Sequence, residues 1–260
     1  MRTSNPVLSD NAFDVPGWEY LAGKDAASTS MTIQGTVNAA FILIMLTTGS
    51  AIGAWYLIQN NIVSASLLLF PGMIGGLVLA LIMTFSKKSS VFLAPVYAVV
   101  KGGFLGAISL LVESQVQARL GPAGAGIVFQ AVLLTFGIFI SLLMAYKFGL
   151  VRVGHTLGTC VMVGTAGVMM LYLVNLVMHM VGWGGLGFIH GSGWMGIGFS
   201  LLVVVLASLN LVMDFQFVES AAQRGSPKYM EWYAAFGVLA TLVWLYIEIL
   251  RLLAKFANRR

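Results

Sequence analysis

Seven long apolar runs, separated by short polar breaks, constrain this chain more than any other feature of its sequence. A helical run of about 20 apolar residues matches the ~30 Å hydrocarbon layer of a bilayer, where each backbone N–H must find a partner inside its own segment. The windows read as helices at roughly Thr36 to Ile58, Val63 to Phe85, Val91 to Val112, Ile127 to Tyr146, Leu157 to Val181, Trp194 to Met213 and Ala234 to Ala254. The breaks carry turn or charge signals: Gln59 with Asn60 and Asn61, Lys87 with Lys88, Gly121 with Pro122, Lys147 to Arg152, Gly182 to Gly193, and Arg224 to Lys228. An all-α integral membrane protein follows. Composition agrees, because charged residues make up 9% of the chain and its mean hydropathy is +0.92, whereas soluble domains carry about 25% charged residues.

The first stretch, Met1 to about Thr32, holds Asp10, Asp14, Glu19, Lys24 and Asp25 and no apolar run resembling a signal-peptide core. It is expected to be a flexible polar arm ahead of one seven-helix membrane domain over residues 33–260. The formal charge of +5 comes from lysines and arginines at the ends of apolar runs, which suits lipid headgroups and does not suggest nucleic acid. A single cysteine, Cys160, excludes a disulfide framework and a cysteine metal site, and it is expected in the core with the scattered methionines.

With a cytoplasmic N-terminus, the breaks after spans two, four and six hold Lys87, Lys88, Lys147, Arg152, Arg224 and Lys228, against Arg119 alone on the other side. The C-terminus disagrees, since Arg251, Lys255, Arg259 and Arg260 lie outside if span seven crosses. Either the earlier breaks dominate or the last segment does not cross. Gly102 with Gly106, and Gly154 with Gly158, have the four-residue spacing that lets helix backbones approach closely.

An ionisable group within a span costs on the order of 2.5 to 3.5 kcal/mol at the helix centre, so each one requires a reason. Lys101, Asp214, Glu248 and Arg251 stand out; Glu113 and Glu219 lie near enough to span ends for headgroup solvation. Two carboxylates brought together at low dielectric cannot both ionise cheaply, so Asp214 and Glu248 as a pair would share a proton, sense pH and attract a hard cation such as Ca²⁺. Alternatively, Glu248 pairs with Arg251 three residues on and Asp214 marks the headgroup level. Helix arithmetic opposes contact: Glu248 lies ~21 Å from the cytoplasmic end of span seven, while Asp214 closes span six. Lys101 is expected to face the interior with a carboxylate or carbonyl partner. His179 and Asn175 are read as inter-helix hydrogen bonds or part of a polar path.

No paired histidines with a glutamate at metalloprotease spacing and no nucleophile elbow occur, so an enzyme is not expected. The stretch Gly191 to Gly196, GSGWMG, has dinucleotide-fingerprint spacing, but no strand precedes it, and no cofactor is expected.

The segments LNLVMDFQFVES and GSPKYMEWYAAFGVLATLVWLYIEILRLL resemble the Bax inhibitor 1 family, also called the transmembrane BAX inhibitor motif family. The start, MRTSNPVL with MTIQGTVNAAF, resembles its bacterial branch, which implies the bacterial inner membrane. The resemblance further implies seven helices with the last one central, and a pH-sensitive Ca²⁺ leak gated by two acids on helices six and seven. By position these fall on Asp214, through the DF that follows and Glu219, and on Glu248, through LYIEILRLL. Several members have aspartate at the second position. A basic latch before span three falls on Lys87 and Lys88, and Lys101 stands where the family suggests an acid on span three. Two further functions stay open: a regulatory partner of a membrane protease, engaged through the arm, and a proton-coupled transporter. In the leak reading, neutralised carboxylates favour the closed arrangement because their mutual repulsion is removed.

Overall fold

The computed structural model describes residues 30–259 except 152–153, 183 and 188–190. Most of the polar arm, Arg152 and Arg260 thus lie outside the described residues. Among the described residues seven helices are long and apolar enough to cross a membrane: α1 (Ile33–Gln59), α2 (Ala65–Phe85), α3 (Ser90–Leu120), α4 (Ile127–Lys147), α5 (His155–Val181), α6 (Trp194–Gln223) and α7 (Met230–Ala257). Short 3₁₀ turns at Lys87–Ser89 and Gly121–Gly124 join α2 to α3 and α3 to α4.

Several helices outrun their apolar windows. Helix α6 continues ten residues past Met213, because backbone hydrogen bonding does not end where hydropathy falls. Its extension buries Phe215, Val218 and Ala221 at three-residue steps, and Val218 and Ala221 pack on Met230 and Ala234 of α7. Helix α3 likewise continues through Glu113 to Leu120.

Helix α7 is the centre. In its most apolar window 56% of residues are buried, against 17% in α1, α2, α4 and α5, so α7 is surrounded by protein and those four face lipid. It packs on α1, α3, α4 and α6, with Phe236, Leu239 and Tyr246 against Leu43, Tyr97, Leu105 and Ala131. At 28 residues, or ~42 Å, α7 is long and apolar enough to cross a bilayer.

Helices α1 and α3 meet through glycine. A Cβ on Gly106 would stand 2.9 Å from the Ala54 methyl and against the Ala51 carbonyl, and one on Gly102 would meet the Thr47 backbone. The expected glycine contact therefore holds for Gly102 and Gly106, whereas a Cβ on Gly154 would meet nothing. Small residues draw helices together here because lipid offers no hydrophobic penalty for their separation.

Expected core residues are corrected in one respect. Cys160 is exposed, as are Met45, Met162, Met170 and Met180. An apolar side chain in a bilayer gains nothing by turning inward, because lipid solvates it as well as protein does.

Candidate functional site

Helices α6 and α7 run antiparallel, and their register follows from two contacts. Asp214 meets the Thr241 hydroxyl, and Lys255 donates to Ser200 Oγ at 2.8 Å and to the Gly196 carbonyl at 2.9 Å. Helix α5 lies against the same seam: Asn210 of α6 donates to Thr165 Oγ1 at 2.7 Å, and Tyr172 donates to Glu248 Oε1 at 2.8 Å. On α7, Thr241, Trp244, Glu248, Arg251 and Lys255 recur at helical spacing along one stripe. From Thr241 to Lys255 this polar stripe runs ~21 Å along the axis. Most of a bilayer's apolar layer is thus traversed by one polar seam among α5, α6 and α7.

Glu248 is 1% exposed and sits in a triad. Arg251 Nη1 lies 3.2 Å from Glu248 Oε1 and donates to the Tyr172 hydroxyl at 2.7 Å. The guanidinium also stacks over the Tyr172 ring, 5.1 Å from its centroid. The triad forms because residues three apart on α7 face the same way, and because Tyr172 reaches across from α5. A buried carboxylate without such partners would be very costly; here a cation and a phenol share it.

Asp214 is placed differently. Its Oδ2 is buried without a hydrogen-bond partner, and the Trp244 indole N–H, one turn along α7 from Thr241, is in the same condition. Buried polar atoms are rarely left unpaired, so these two mark the incomplete stretch of the seam. Seven residues separate Thr241 from Glu248, which puts the two acids about 10 Å apart along the axis. The structure therefore does not bring Asp214 and Glu248 into contact. Asp214 is also not at the end of its helix, because α6 continues nine residues beyond it to Gln223.

The remaining predicted residues lie outside this seam. Lys87 and Lys88 are exposed at the turn before α3, with Lys87 Nζ 5.6 Å from the Tyr233 ring centroid. Among the described residues neither lysine forms an ion pair with Asp214 or Glu248. Lys101 faces α2 across Gly76, with its ammonium 5.1 Å from the Phe104 ring centroid. No carboxylate or carbonyl partner holds Lys101 among the described residues; aromatic faces of its own helix take that place. Glu219 accepts from the Tyr146 hydroxyl, tying α6 to α4. Glu113 accepts from the Gly126 amide at 3.1 Å, at the N-cap of α4, so a carboxylate replaces solvent there. It borders a cavity of about 530 Å³ among α1, α3, α4 and α7, whose wall carries the Ser109–Tyr246 hydrogen bond of 2.6 Å. Asn175 accepts from the Leu186 amide at 2.8 Å, and a Cβ on Gly185 would meet both Asn175 and His179. Asn175 thus secures the connection into α6.

Sequence reasoning missed Glu231. This acid, 7% exposed in the first turn of α7, accepts from both the amide and the hydroxyl of Thr32 at 2.9 Å. Thr32 in turn caps α1 by accepting from the Gly35 amide at 2.9 Å. Beside it the Met31 amide donates to the Ser226 carbonyl at 2.6 Å, and the Met31 side chain is buried against α6 and α7. The available signal was an acid in the first helical turn, where the helix dipole favours negative charge.

These features define a class: a seven-helix membrane protein built around its last helix, with Asp214, Glu248, Arg251 and Lys255 along one seam. The family model described as Bax inhibitor 1 like matches residues 5–258, and the chain belongs to that family. No curated protein and no solved structure matches it.

Proposed function

We propose that this protein is a pH-sensitive Ca²⁺ leak whose path is the polar seam of α5, α6 and α7, with Asp214 and Glu248 as its two acidic stations. The observation that carries the reading is the buried, unpartnered Oδ2 of Asp214 on a seam that already holds Glu248. An ionised Asp214 needs more partners than this arrangement supplies, so it must draw water or a cation into the seam. Protonation removes that need and lets the helices stay closed. Flux therefore rises with pH, with no requirement that the two acids touch. Ca²⁺ suits the site because it prefers carboxylate and carbonyl oxygens. The family supports the same reading, the basic breaks support a cytoplasmic N-terminus, and the likeness of the chain's start to the bacterial branch supports a bacterial inner-membrane location.

The test is Ca²⁺ entry into dye-loaded proteoliposomes from pH 5 to 8. Native flux should climb with pH, and Asp214→Asn should flatten the profile. Glu248→Gln removes the carboxylate paired with Arg251, so its flux should fall at every pH. Equal pH profiles for native protein and Asp214→Asn would sink the gating role. If no protein conducts at all, the regulatory-partner reading is next, tested by deleting residues 1–29 and assaying membrane-protease activity.

A further inference from the structure

Between the last turns of α3 and α7 lies a second cavity of about 460 Å³. Its inner part is aliphatic, formed by Ile108, Val112, Ile247 and Leu250. Toward the helix ends the lining changes to Gln115, Arg119, Arg251 and Asn258. Arg119 is exposed, and among the described residues it has no carboxylate partner. Arg251 is committed to Glu248 and Tyr172 through Nη1, on one side of its guanidinium.

An apolar crevice whose outer lining includes Arg119 and Arg251 complements a molecule with a hydrocarbon chain and an anionic head. Guanidinium groups grip phosphate oxygens bidentately, which an ammonium cannot do. Basic pockets between transmembrane helices have this chemistry toward lipid headgroups. We infer that the α3–α7 crevice binds one anionic phospholipid, with its phosphate between Arg119 and Arg251 and an acyl chain along Val112 and Ile247. The crevice shares Arg251 with the seam, but its test does not depend on conduction.

Purified full-length protein in detergent would be titrated with phosphatidylglycerol and with phosphatidylcholine of the same chains, and bound lipid counted by native mass spectrometry. Phosphatidylglycerol should be retained in preference, with Arg119→Gln lowering its affinity about fivefold, as removal of one basic group predicts, and leaving phosphatidylcholine unchanged. Val112→Trp, which fills the crevice and keeps both arginines, should lower phosphatidylglycerol retention as well. Equal retention of the two lipids, or undiminished phosphatidylglycerol retention in both variants, overturns the proposal. So does a thermal stabilisation by millimolar inorganic phosphate equal to that by the lipid, which would make the cavity a free-anion site.

Discussion

Glu231 shows how one residue can join two distant parts of the chain. Its carboxylate, buried at the start of α7, holds both donors of Thr32, which itself begins α1. Thr32 is exposed and its bonds to Glu231 are part-buried, so water can replace a lost acceptor and the loss is that of an ordinary hydrogen bond, about 0.5–1.5 kcal/mol. Glu231→Ala should therefore lower thermal stability by that amount, while Glu231→Gln, which keeps an acceptor oxygen, should lose less. Scanning fluorimetry of the two variants side by side checks this, and identical melting would remove the clasp from consideration. Glu248 is the complementary case, with Arg251 and Tyr172 both held by one carboxylate. Asp214 and Glu248 were legible as single residues, because a charge inside an apolar run is conspicuous. Glu231 was not, since it follows the polar GSPKYM stretch, where one more acid carries little information.

At the scale of elements, neighbouring glycines on α3 have opposite meanings. Gly106 faces the Ala51 carbonyl of α1, whereas a Cβ on Gly103 would meet nothing. Gly106→Leu should force α1 and α3 apart and destabilise the fold by about 1–3 kcal/mol, as overpacking does. Gly103→Ala should be neutral or stabilise by about 0.4–1 kcal/mol, because it restricts the unfolded backbone at no steric cost. Chemical denaturation of both variants distinguishes a glycine that helices need from one they tolerate. The four-residue spacing of Gly102 and Gly106 was visible in the sequence, but spacing alone does not say which helix arrives. The length of α6 was likewise hidden. Hydropathy falls at Asp214, yet the helix runs on to Gln223 because Val218 and Ala221 find α7 to pack on.

For the whole molecule, seven helices that each cross the bilayer would put the start of α1 and the end of α7 on opposite sides of the membrane. Lys87, Lys88, Lys147, Arg224 and Lys228 gather at one end of the bundle, while Arg119, Lys255 and Arg259 lie at the other. The first group should face the cytoplasm. A reporter fused after Arg260 should then read as non-cytoplasmic and one fused before Met1 as cytoplasmic; both on one side would contradict a crossing α7.

Sequence alone determined the solvent, the helix count and the identity of the suspect charges. Each of these depends on local quantities: a run's length against a bilayer's thickness, and the cost of a charge in lipid. Tertiary structure decided which charges meet. Asp214 finds Thr241 and an incomplete partner set, Glu248 finds Arg251 and Tyr172, and Lys101 finds aromatic rings, because helix register and rotation set those encounters. In a bilayer hydropathy specifies neither: lipid solvates every outward apolar face equally, so only the fit of small residues and the pairing of polar ones chooses the arrangement.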